Sequence, residues 1–140
     1  MAALLASSAA APPQQPNQVA NYYAGQPGTA SYQHFSFWSH EGRRYNLQYS
    51  RDSLRTDVTG RYAGPVRVAG QPGFRVALAG GRTLYVVPAD SVLLVRATPT
   101  GPATTFRWEY QGPVNGVGTP CSVCTPNAAA AMQLVRRYYL

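Results

Sequence analysis

The strongest constraint on this chain is a run in which every second residue is aromatic. Between Thr105 and Gln111, Phe106, Trp108 and Tyr110 alternate with Arg107 and Glu109. Successive side chains on a β-strand point to opposite faces, so aromatics on one face and charges on the other specify a half-buried strand. The same period recurs from Arg43 to Ser50, with Tyr45, Leu47 and Tyr49 opposing Arg44, Asn46 and Gln48. It recurs from Phe74 to Leu78, where Phe74, Val76 and Leu78 oppose Arg75. Phe35 and Phe37 share a face just ahead of Ser39–Gly42. That glycine-containing turn joins their run to Arg43–Ser50 as a hairpin.

Glycine and proline punctuate the remainder. Arg51–Gly60 is polar and reads as a connection with room for one short strand around Leu54–Val58. Val66 and Val68 alternate within Arg61–Gly70. Gln71-Pro72-Gly73 reads as a turn, because proline presets φ and glycine accepts positive φ. Gly80-Gly81 turns the chain again. Arg82–Val87 and Val92–Arg96 are nearly continuous in valine and leucine, as the most buried strands are; Pro88 separates them. Residues 98–104 and 112–120 are loops by composition. The last element differs. Thr125 can cap a helix with Pro126 as its first residue, and four alanines follow. Apolar residues at Ala128, Ala131 or Met132, Val135 and Tyr139 recur at helical spacing, and Arg136 and Arg137 suit the negative end of the dipole. A helix is predicted over about 126–138.

Six to eight short strands followed by one helix predict a mainly β domain, a small antiparallel barrel or sandwich. The three glycine-punctuated strands from Val66 to Arg96 have the rhythm of an SH3-like meander. The expected core is Phe35, Phe37, Tyr45, Leu47, Val66, Val76, Leu84, Val86, Leu93, Leu94, Phe106 and Trp108 with the apolar helix face. Ahead of it, Met1–Ala11 (MAALLASSAAA) resembles the apolar and cleavage regions of a secretory signal peptide without the positive start. Residues 12–30 are rich in proline, glutamine and glycine and carry no hydrophobic period, as a linker does. Residues 1–30 are therefore expected to form a disordered leader and 31–140 the domain. A signal peptide implies a secreted or periplasmic location, where disulfides persist. No stretch approaches the roughly eighteen consecutive apolar residues that span a bilayer.

The net charge is +7, yet only 12% of residues are charged, against about 25% in ordinary globular chains. All twelve cations are arginine, and isoleucine is absent as well as lysine. Binding chemistry does not explain missing isoleucine, so the bias reads first as coding composition. Strand faces nevertheless offer Arg44, Arg67, Arg75, Arg82 and Arg107 as a candidate binding surface. With tyrosines and Trp108 to stack bases, they could serve a nucleic-acid face. They are dispersed, however, and no RRM-type aromatic-basic motif accompanies them. Another protein, an anionic surface or a polysaccharide fits the charge equally well.

Cys121-Ser122-Val123-Cys124 is the only compact motif. A CxxC pair ahead of a helix can be a redox dithiol whose thiol pKa the helix dipole lowers. That motif belongs after the first strand of a βαβ unit, and here it follows the last strand of a β-rich chain. A structural disulfide closing a tight loop fits the context better. His34 and His40 could add two ligands to Cys121 and Cys124 for zinc, but six-residue spacing across a hairpin is not that of a zinc finger. Hydrolytic motifs are absent, the five acidic residues are isolated in sequence, and the glycine-rich pieces lack phosphate-loop patterns. No cofactor or metal is expected. The reading is an exported β-rich binding or structural module without evident catalysis. The alternatives are a thiol–disulfide redox protein using the CxxC pair and a basic nucleic-acid-binding β domain.

Overall fold

The computed structural model of the chain describes residues 17–51, 56–110 and 121–140. Eight strands follow one another: β1 (Gln18–Ala24), β2 (Gln33–His40), β3 (Arg43–Arg51), β4 (Thr56–Val68), β5 (Gln71–Ala77), β6 (Thr83–Ala89), β7 (Val92–Arg96) and β8 (Thr104–Trp108). A single helix, α1 (Ala128–Tyr138), comes after them. Each strand pairs antiparallel with the next, and β8 returns to pair with β1 through Tyr22↔Trp108 and Tyr23↔Arg107. The protein is therefore mainly β, with one sheet closed into a ring. It is an irregular barrel, with register shifts between Phe37 and Ser39 and between Tyr62 and Pro65.

In a meander of this kind alternate connections lie at the same end of the ring, and the two ends differ. At one end the connections are two residues long: 41–42, 69–70 and 90–91. Glu41 and Gly42 both take positive φ (49° and 73°), as do Ala69 and Gly70 (51° and 77°). That backbone twist matches the twist of the flanking strands. At the other end the described connections span 25–32, 78–82 and 97–103. The first of these is held tight at its base. Gly25 has φ 81°, and a Cβ there would lie 2.0 Å from the Ser31 carbonyl oxygen.

Aromatic side chains fill the ring. Phe35, Phe37, Phe74 and Phe106 are wholly buried. Their ring centroids lie 5.1 Å apart for Phe35–Phe37, 5.2 Å for Phe35–Phe106 and 5.9 Å for Phe37–Phe74. An eight-stranded barrel is just wide enough for side chains to fill it, and here they do.

The helix is the stopper of the tight-turn end. It touches β1 and β2 on one side of the ring and β6 on the opposite side. Asn127 caps it, its side-chain oxygen accepting from the Ala130 N–H at 2.8 Å, a contact worth about 1 kcal/mol in comparable helices. Ala131, Met132, Leu134 and Val135 are its buried face. Tyr139 follows the last turn and enters the ring. Its ring meets Phe37 at 5.2 Å and Phe74 at 5.8 Å, and its hydroxyl donates to the carbonyls of Trp38 (2.6 Å) and Asn46 (3.0 Å).

Several expectations are corrected here. The disordered leader expected over residues 1–30 is interrupted by β1, Gln18–Ala24. Its inward residues are Ala20, Tyr22 and Ala24, while Val19 and Asn21 are buried on the outer side, so both faces are covered and the alternation is masked. Residues 1–16 lie outside the described residues, as do 52–55 and 111–120. Tyr45, expected in the core, is 57% exposed. The register shift opposite it adds a residue to β3 and turns the ring outward against His40, 5.2 Å away. Leu94 faces out beside buried Leu93, and Val66, Leu94 and Trp108 are only half-buried. Gln71–Gly73 opens β5 instead of turning, because Ala69–Gly70 already makes the turn. Thr125 does not cap the helix. Its backbone N–H is committed to the Val19 carbonyl at 2.9 Å, which leaves the capping role to Asn127.

Candidate functional site

Opposite the stopper, the ring opens into a cavity of about 630 Å³. The strand ends and long connections of that end line it. Arg51 ends β3, Arg82 precedes β6 and Arg96 ends β7, so three arginines stand at this opening; the charges of Arg51 and Arg82 lie near the Tyr49 hydroxyl, whereas Arg96 shares the outward face of Leu94. The floor is Leu84, Val95 and the ring of Tyr49, all buried. Gln33, Thr98 and Thr104 add polar atoms at the rim. No carboxylate lines the cavity among the described residues.

Tyr49 links floor to rim. Its hydroxyl donates to Gln33 Oε1 at 2.8 Å and is hydrogen-bonded by Arg82. Burial pushes the Tyr49 phenol up from its ordinary value, and the nearby Arg51 and Arg82 charges offset only part of that. The phenol therefore stays neutral, and the arginines remain uncompensated by any anion of the described wall. Guanidinium groups have rigid donor forks suited to carboxylate or phosphate oxygens, and an apolar floor beneath such groups is the general form of a small-molecule site.

Of the arginines singled out in the sequence, only Arg82 lies at this opening. Arg44 belongs to the stopper end, where its guanidinium sits 3.7 Å from the Tyr62 ring centroid and donates to the Tyr138 carbonyl at 3.1 Å. Arg67 donates to the Gly70 carbonyl at 2.7 Å within its own turn. Arg75 and Arg107 are exposed on the outer wall. The five do not form one surface. Arg51 and Arg96 join Arg82 at the rim of that opening, and the sequence carries a signal for both. In a strictly alternating meander, residues at the ends of odd strands and the starts of even strands share one end of the ring, and Arg51, Arg82 and Arg96 are such residues.

The cysteines form a disulfide, Cys121–Cys124, with no free thiol among the described residues. Their loop docks on β1 where β8 has ended. The Val19 N–H donates to the Val123 carbonyl at 2.8 Å, and Asn21 Nδ2 approaches Cys124 Sγ at 3.8 Å. The helix begins four residues beyond Cys124, so neither sulfur lies in its first turn, where a dipole would lower a thiol pKa. The disulfide ties down the approach to the helix. Replacing both cysteines by serine should lower stability by at most about 2 kcal/mol, the chain-entropy value for so short a loop. Urea unfolding of C121S/C124S checks this. A loss above 4 kcal/mol would show that the loop carries more of the fold than its own closure.

The histidines do not join the cysteines. His34 lies 3.6 Å from Glu109 Oε2, which also accepts from the Tyr32 hydroxyl at 2.8 Å. His40 packs on Tyr45 at the stopper end, hydrogen-bonded to Asn17. Among the described residues no three His, Cys, Asp or Glu side chains gather as metal ligands do. A smaller groove of about 260 Å³ on the outer wall is lined by Asn21, His34, Ser36, Ser50 and the disulfide. Ser36 Oγ donates to Asn21 Oδ1 at 2.8 Å there, so part of its polar lining is satisfied internally. No helix of the described residues is long and apolar enough to cross a membrane.

No protein-family model, curated protein or solved structure matches the chain.

Proposed function

We propose that the protein is a binding module, exported to an oxidising compartment, that takes a small molecule into the open mouth of its barrel. The observation that carries this reading is the asymmetry of the ring. One end is stopped by α1 and closed by two-residue turns, whereas the other presents a 630 Å³ cavity framed by longer connections. Loops on a rigid scaffold are where binding residues concentrate, and barrel mouths are recurrent ligand sites. The disulfide is compatible with the oxidising compartment that a signal-like start implies.

Nile red tests the cavity, because it is uncharged and reports apolar enclosure without drawing on the arginines. Saturable, one-to-one fluorescence enhancement is expected. Val95→Trp, which fills the floor, should abolish it while leaving the far-ultraviolet dichroism unchanged. Enhancement that persists undiminished in a folded Val95→Trp protein, or none in the native protein, defeats the reading.

A further inference from the structure

We propose that the ligand of the barrel mouth is a small amphiphile with an oxyanion head and a short apolar body, the head held by Arg82 with Arg51. This inference rests on the mouth being the binding site and goes beyond it by naming the chemistry received.

Three observations lead to it. First, Arg51 and Arg82 both line the cavity, and both place their charge near the Tyr49 hydroxyl on its floor. Two guanidinium groups held near one phenol carry like charge and repel one another. The described wall supplies no carboxylate to relieve them. At the stopper end, by contrast, Arg44 and Arg67 are each used by a carbonyl of the fold.

Second, Tyr49 holds Arg82 from below. The phenol donates to Gln33, so its oxygen is left to receive Arg82. One hydrogen bond of the guanidinium is thus spent on orientation, and its remaining donors are available to an incoming anion.

Third, the floor is apolar. Leu84 and Val95 lie beneath the arginines at 8% and 4% exposure, and the aromatic core closes the ring below them. An inorganic anion would meet the arginines and leave this floor wet. A neutral apolar molecule would cover the floor and leave the charges unmet. A molecule with both parts satisfies both.

Displacement of Nile red separates the possibilities. Octanoate, octanol, octylamine and inorganic phosphate are the competitors, at matched concentration and ionic strength. Octanoate should displace the dye at least about tenfold more effectively than octanol, as a charge-assisted hydrogen bond predicts, and octylamine should be the weakest of the three amphiphiles. Arg82→Gln and Arg51→Gln should each remove most of the preference for octanoate, and Arg107→Gln, on the outer wall, should leave it intact. Rising salt should weaken octanoate and spare octanol. Equal displacement by octanoate and octanol, unaltered in both mouth variants, would overturn the oxyanion assignment while the mouth itself stood. Phosphate matching octanoate would overturn the apolar body. Failure of Nile red to bind at all would remove the mouth reading instead, so the two failures are distinguishable.

Discussion

Tyr139→Ala should cost about 4 kcal/mol of folding stability, enough to bring a domain of ordinary stability, about 5–15 kcal/mol, close to its unfolding threshold. Truncating a buried aromatic typically costs 3–5 kcal/mol through lost transfer energy and the cavity left behind. Here the side chain is 1% exposed and packs on Phe37, Phe74 and Tyr62. Its loss also removes the donor to two carbonyls, those of Trp38 and Asn46. Tyr139→Phe separates the two contributions. It keeps the packing and should cost about 1 kcal/mol, the net worth of a hydrogen bond. Urea unfolding followed by circular dichroism reads both variants. A loss below 1 kcal/mol for the alanine variant would mean that the helix does not stopper the ring.

The second large effect is alkaline. Three tyrosines, Tyr22, Tyr49 and Tyr139, have phenols that burial pushes above the ordinary value of 10.0. Because the folded pKa is the higher one, the unfolded chain gives up these protons first as pH rises. Their stabilisation is therefore complete below pH 10 and is lost progressively above it. Each phenol contributes a slope of up to about 1.4 kcal/mol per pH unit in that window, so the three together can remove several kcal/mol within one or two units. The midpoint of urea unfolding should stay flat as pH approaches 10 and then fall steeply. In a spectrophotometric titration of the native protein, three of the ten tyrosines should ionise only as the fold is lost. Ionisation of all ten together near pH 10, in protein still folded, contradicts this account.

Much of this architecture was legible from residue spacing, and the exceptions have physical causes. Strand alternation at Arg43–Ser50, Phe74–Leu78 and around Phe106 marked three staves of the ring directly, because each has one face in the core and one in water. β1 was missed because its outer face is covered as well. Val19 and Asn21 lie against the disulfide loop, so its residues carry no apolar–polar rhythm, and its surroundings are rich in proline and glutamine. Tyr45 fits the rhythm and still faces out, since an irregularity of pairing opposite it is a property of two strands and cannot be read from one. The helix was plain from its alanines, yet its cap lay two residues later than expected because Thr125 is held by β1. For the site, Arg82 was noted as one of five dispersed cations. Its partnership with Arg51 depends on which strand ends share a rim, which the chain reveals only after the meander is closed.

The unequal lengths of the connections have a consequence for how such a scaffold can change. At the stopper end the two-residue turns demand left-handed backbone and sit beside the residues that plug the ring, so an insertion there disturbs register and core together. At the mouth the longer segments join strands whose pairing is already fixed below them, and lengthening a loop costs little, about 0.6 kcal/mol per doubling. The rim is accordingly the part of the molecule that can be rewritten piecemeal. New recognition chemistry could be grafted onto 78–82 or 97–103 without redesigning the barrel, which makes this scaffold a receptacle with separable frame and label.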